Sequence, residues 1–362
     1  MTAQLTQRPH TTSPHAEASP AVAPVLAGIR MARRKAAVRA GWVLGAIVLI
    51  ATTGFVLAVT LGGSADIPLA EVPAAMIGQS SGLAQFVIFE TRMPRIVAAA
   101  LAGALFGLSG VVYQRLISNP LATPDIIGVS AGASTGAVLV LVVLGGTGLA
   151  VQGGALLGAA VASLTIFALS WRSGTNTYRL VLIGIGIGAC FASLTSYLLT
   201  RADSMTTTRA MRWLIGSLSG VSWPEVTALV VAVIVGGILV KVIAANLESL
   251  RLGDALAAGV GTKVGLTKVS ALMLGAGLAA IATSVVGPVA FIALIAGPIA
   301  QRLIPGPRML PAALVGATLL IVSDVLAQNA PFISPIPTGT LTALIGAPVL
   351  VYLLIHRKAG TR

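Results

Sequence analysis

The chain has 362 residues, of which 56% are hydrophobic and 9% charged, with a formal net charge of +13. Soluble domains carry about 25% charged residues, and a folded surface needs polar cover that this chain cannot supply, so a soluble globular fold is excluded. The basic residues gather at the ends of apolar runs and aromatic residues make up only 4%. The charge therefore reads as membrane orientation and not as a nucleic-acid surface.

Residues 1–39 read as a disordered, basic cytoplasmic tail. Residues 1–29 are rich in Thr, Pro, Ala and Ser and lack helical periodicity, and Arg30, Arg33, Arg34, Lys35 and Arg39 follow. The apolar run from Gly41 to Leu61 exceeds the ~7–15 residues of a cleaved signal and is predicted to be a retained first span. Windows of ~20 apolar residues give ten predicted spans: 41–61, 95–115, 126–146, 149–170, 180–200, 226–245, 266–286, 289–303, 309–328 and 338–356. The expected fold is an all-α polytopic membrane protein with a permease domain over 40–357 and both termini in the cytoplasm. On that topology 18 of the 23 basic residues flank the cytoplasmic side, as the positive-inside rule requires.

Chemistry-bearing groups are sparse. The lone Cys190 permits no intrachain disulfide and no thiolate cluster. His10, His15 and His356 lie in the tail or at the far terminus, so no metal site, cofactor or catalytic centre is expected. No phosphate-binding loop is present, so the chain does not hydrolyse ATP by that route. Asp324 is the one clear acid within a predicted span. Ion-coupled carriers place several such groups at membrane depth, so energy is expected to come from outside the bilayer.

Three segments are neither plain linkers nor plain spans. In residues 91–134, Arg92 and Arg95 stand on the expected outer side, suited to snorkelling toward lipid phosphates or to docking acidic residues of an external partner. Asn119, Pro120, Leu121 and Pro124 break the helix at the other end, which a membrane tolerates where backbone is buried in protein or lines a cavity. Residues 246–265 place Leu247, Leu250, Ala255, Ala258 and Val260 on an apolar stripe interrupted at Gly253. That stripe could lie on the membrane, enter a groove on another protein, or be a loop helix without special role. In residues 284–308 two Gly-Pro pairs bracket a short apolar run, the pattern of a discontinuous helix beside a transport path.

These segments resemble the iron–siderophore and cobalamin permease family of ATP-binding-cassette importers. The matching residues are Arg92-Met93-Pro94-Arg95, Ser109-Gly110 with Gln114, Asn119 to Pro124, Gly128-Val129 with Gly132-Ala133, Trp213 to Ser217 with Trp223, Leu252-Gly253-Asp254, and Gly287 to Ile292. The Pro124-Asp125-Ile126-Ile127-Gly128 variant looks like the siderophore branch. The resemblance implies binding-protein docking by Arg92 and Arg95. It implies a cytoplasmic gate at Asn119 and Leu121 opposed by Asn176 and Thr177, and contact with the ATPase through Leu250, Gly253, Asp254 and Ala257. Implied partners are two ATP-binding subunits, an extracytoplasmic siderophore-binding protein and a second permease chain.

The chain departs from the family pattern at two places. Ala296-Gly297-Pro298 lacks the usual histidine, and Gln328 stands where an arginine often ends the ninth span. The missing arginine favours a related second chain over a second copy. The reading is a non-catalytic permease subunit moving iron–siderophore complexes by alternating access. An ion-coupled carrier, an intramembrane enzyme and a cobalamin or haem permease are the alternatives.

Overall fold

The computed structural model describes residues 22–62, 67–68, 70–77, 79, 82–171, 177–304, 306, 309–329 and 336–356, and every regular element among them is helical. Residues 1–44 form one unit by contact and residues 45–362 another. Helix α1 (Val22–Leu61) starts well before the predicted span. Residues 22–39, expected within a disordered tail, are therefore helical. Ala, Arg, Lys and Met dominate residues 31–40, and these are strong helix formers. The tail expectation for residues 1–21 lies outside the described residues.

After α1 come α2 (Glu71–Met76) and α3 (Gly82–Phe86). A single π-helical stretch, Val87–Arg92, runs directly into α4 (Met93–Leu116). Pro94 accounts for that change of pitch, because it lacks an amide donor and its ring crowds the carbonyl four residues earlier. The chain continues through α5 (Val129–Val143), α6 (Leu149–Trp171), α7 (Thr177–Thr200), α8 (Ser204–Ile215) and α9 (Trp223–Ser249). A 3₁₀ turn at Leu250–Leu252 precedes α10 (Asp254–Gly259), and α11 (Val264–Val286), α12 (Ile292–Leu303), α13 (Leu310–Asn329) and α14 (Thr338–Ile355) follow.

Among the described residues, eight helices are long and apolar enough to cross a membrane. The other two predicted spans, 126–146 and 289–303, appear as α5 and α12, of 15 and 12 residues. Both begin later than predicted where the backbone bends, and α5 also stops three residues early, at Val143. Gly128 takes φ +89° before α5, and Gly287 and Phe291 take φ +74° and +67° before α12. Helix α8, amphipathic and only 12 residues long, was not expected.

Helix α4 lies inside the bundle, against α9, α11, α12 and α13. Lipid supplies no hydrophobic drive for helices to associate, so close backbone approach over small residues must do so. Helices α5 and α6 show this directly. Gly132 and Gly136 on one helix face Gly158 and Gly154 on the other, so closely that a methyl at Gly136 would lie 2.0 Å from the Gly154 carbonyl oxygen. Around them Val129, Ala133, Ala137, Val151, Ala155 and Ala159 form a buried seam.

Candidate functional site

The predicted functional residues fall at the two ends of the bundle. At the first end, α4 stops in a turn closed by two backbone bonds, from Asn119 N to Gln114 O (3.1 Å) and from Ser118 N to Arg115 O (3.3 Å). This is a Schellman closure, whose left-handed position is normally glycine. Ser118 fills it at φ +53°. Asn119 then accepts from Leu121 N at 3.0 Å through its side-chain oxygen, and its carbonyl accepts from Ala122 N at 3.1 Å. The predicted gate turn is thus a rigid reversal, with Asn119 exposed and Leu121 half-buried.

Farther along the same loop, Asp125 accepts from the Ser130 hydroxyl. Loss of water pushes its carboxyl above the usual range, and the Ser130 bond opposes that shift. The residues expected to oppose this turn, Asn176 and the Thr177 side chain, lie outside the described residues.

Beside the gate turn is a cavity of ≈700 Å³ whose lining includes Gln114, Arg115, Leu121, Arg251, Arg302 and Leu350. Gln114 is 4% exposed and donates to the carbonyls of Leu294 (3.0 Å) and Ala293 (3.3 Å), fixing α4 to α12. Gly297 lies against its side-chain oxygen, where a methyl would come within 2.0 Å. A side chain at Gly297 would have to displace the Gln114 amide that holds α4 to α12. Arg302 donates to the His356 carbonyl and sits over the Tyr352 ring, 5.6 Å from its centroid.

The predicted ATPase-contact residues divide by exposure. Leu250 and Ala257 are buried and anchor the segment, whereas Gly253 and Asp254 are exposed. Gly253, at φ +91° and ψ 156°, separates the 3₁₀ turn from α10, a conformation that favours glycine. Asp254 pairs with Lys268 of α11 at 2.7 Å. The apolar side chains turned outward are Leu252, Leu256 and Val260, each more than half exposed. They differ from the stripe expected from sequence, because Leu247 and Leu250 point into the bundle.

At the other end, both expected docking arginines are engaged within the chain. Arg92 is 6% exposed and donates to the carbonyls of Val59 (2.8 Å) and Thr60 (3.1 Å), which close the last turn of α1. Arg95 reaches Asp324 of α13 through two guanidinium nitrogens, at 2.8 and 3.0 Å, and donates to Ser219 at 3.3 Å. Asp324 is fully buried and also accepts from Thr338 and Gln328, each at 2.7 Å. Buried charge survives only when paired and hydrogen-bonded in this way.

Next to that pair, three segments of the chain converge through their backbones. Ser217 N donates to Val286 O (2.9 Å) and Gly339 N to Gly216 O (3.1 Å). Nothing larger fits at the crossing: a methyl on Gly339 would lie 1.8 Å from the Ile215 carbonyl oxygen. Among the described residues, the exposed arginines at this end are Arg201, in the turn after α7, and Arg209 and Arg212 on α8. With Arg92 and Arg95 they make up the five basic residues outside the expected cytoplasmic flanks, and only the fold separates them from Arg92 and Arg95.

A model of the FecCD transport family matches residues 47–356. The chain belongs to the FecCD transport family. Over 302 residues it is 34% identical to the ferric enterobactin transport system permease protein FepG of Escherichia coli, covering 82% of this chain and 90% of that one. It is 33% identical to the probable siderophore transport system permease protein YfhA of Bacillus subtilis, covering 91% and 98%. A solved structure described as an inward-facing metal-chelate type ABC transporter superposes with a TM-score of 0.76 at 27% identity, covering 87% of this chain and 99% of its own. This FecCD-family chain is accordingly a multi-pass permease of the cytoplasmic membrane and not an enzyme. ATP hydrolysis, substrate capture and a second permease belong to partner subunits.

Proposed function

We propose that the chain carries iron–siderophore complexes into the cytoplasm as one permease of an ABC importer. The Asn119 end and both termini face the cytoplasm, in keeping with the inside-positive charge distribution. The observation that carries the reading is the segment Leu250–Val260. It is anchored by buried Leu250 and Ala257, yet it leaves Leu252, Leu256 and Val260 exposed, and its Arg251 lines the same cavity as Leu121 of the gate turn. Apolar side chains grouped outward beside an exposed Gly253 and Asp254 fit a socket on a soluble motor.

The Arg95 end receives the siderophore-binding protein. Arg92 and Arg95 hold the shape of that surface, and Arg209 and Arg212 present charge to acidic groups of the partner. Asn119 and Leu121 form one side of the inner gate, with Asn176 and Thr177 opposite. The second permease is a related chain, because Gln328 is turned inward to Asp324 and offers no docking charge of its own.

The test is uptake of radiolabelled iron, presented with a panel of siderophores, in a strain lacking this chain. Restored uptake of at least one complex, lost when the cognate ATPase is removed, is the expected result. Uptake that persists without the ATPase and collapses with the proton gradient would replace this reading by an ion-coupled carrier.

A further inference from the structure

The geometry points to Arg115 as the positioning residue that passes movement of the ATPase-facing segment to the gate turn, with Glu248 as its contact. This rests on the reading of the chain as an ATP-driven permease. Arg115 is the penultimate residue of α4, only 6% exposed, and its carbonyl accepts one of the two bonds that close the turn into Asn119. Its guanidinium faces Glu248, which lies two residues before Leu250, where the anchored segment begins. One side chain therefore touches the start of the moving segment while its own backbone defines the start of the gate.

The other ionic contacts of the segment do not make this connection. Lys268 and Asp254 join α10 to α11, and Asp254 is 60% exposed, so solvent screens the pair. Arg251 and Glu248 are three residues apart on one stretch of chain. Among the described residues, Arg115 and Glu248 form the ion pair that links this segment to α4.

The state of that contact gives it a mechanical use. Arg115 Nη1 and Glu248 Oε2 are 3.4 Å apart, both are sheltered from solvent, and neither completes a hydrogen bond. A charge-assisted bond closes at ~2.7–2.9 Å, so a shift of about half an ångström separates the unmade contact from the made one. Closing that gap would give the contact a second arrangement, which is what a switching element requires. Arg115 and Arg251 also line the ≈700 Å³ cavity, which gives the guanidinium room to follow the segment.

The experiment uses the whole complex, with cognate ATPase and binding protein, in lipid vesicles, and reads ligand transported per ATP hydrolysed. Glu248→Gln is the first variant, since Glu248 is one-third exposed and the change is isosteric. The ratio is expected to fall about tenfold, the scale of one hydrogen bond to a charged group, while hydrolysis continues. Arg115→Gln should match it, and the exchanged pair Arg115→Glu with Glu248→Arg should recover part of the loss. Should Arg115→Gln fail to accumulate, Glu248→Gln and the exchanged pair decide. An unchanged ratio in Glu248→Gln, or an equal fall in transport and hydrolysis, overturns the inference. Absence of ATP-driven uptake by the unaltered complex would instead remove the functional reading beneath it.

Discussion

Arg95 and Asp324 stand 229 positions apart in the chain and meet as a two-pronged ion pair at the end of the bundle opposite the gate turn. With Thr338 and Gln328 also on the carboxylate, one buried acid joins α4, α13 and α14. Removing one partner of a buried pair leaves an uncompensated charge, at a cost of roughly 3–5 kcal/mol. Arg95→Ala is expected to lower stability on that scale in detergent, and Asp324→Ala similarly. The double variant should lose much less than the sum, which a double-mutant cycle on thermal or denaturant unfolding would measure.

The α5–α6 seam makes a separate demand. Gly136 has the Gly154 carbonyl oxygen directly against it, so a side chain there must push two helices apart. Gly136→Leu should cost about 1–3 kcal/mol or more, the usual penalty of overpacking. Gly153, with open space around it, should accept alanine with little effect. Paired thermal-stability measurements of the two variants check the contrast.

Asp125 makes stability depend on pH. Its folded-state carboxyl is raised above the unfolded value by burial, so the folded protein holds the proton more tightly than the unfolded chain. Stability from this group is therefore present at low pH and is lost as pH rises from the ordinary carboxylate range through the raised folded value. Asp125→Asn should gain stability over the parent at neutral pH, and that advantage should shrink on acidification. Melting curves at the two pH values give the comparison.

Arg209 and Arg212 are exposed, and no ion pair engages either among the described residues. Replacing both by glutamate should slow association with the binding protein by about an order of magnitude at low salt, with a smaller effect as salt screens the field. Association kinetics across ionic strengths check this, and membrane levels of the permease should stay unchanged.

Particular residues show which parts were legible beforehand. The ten apolar runs each correspond to a helix, because crossing lipid imposes a length and a composition that can be counted along the chain. Asn119 and Leu121 were visible as a helix break because proline and asparagine act locally. Arg92 and Arg95 were visible as charges in an unusual place, yet their partners Val59, Thr60 and Asp324 come from distant segments. Of the exposed face, Val260 and the break at Gly253 were legible, but Leu252 and Leu256 were not, since only the packed bundle shows that Leu247 and Leu250 turn inward.

The sequence by itself determined that this is a helical membrane protein, which segments enter the bilayer, and the family to which its motifs point. These follow from local patterns of polarity and from short runs of characteristic residues. Only the tertiary structure decided which charges are paired inside the molecule and which stay exposed. It also decided that glycines at 216, 287 and 339 meet, and that Arg115 lies against Glu248. Such pairings depend on how helices pack across the bundle, and a linear pattern carries no distance between residues far apart in the chain.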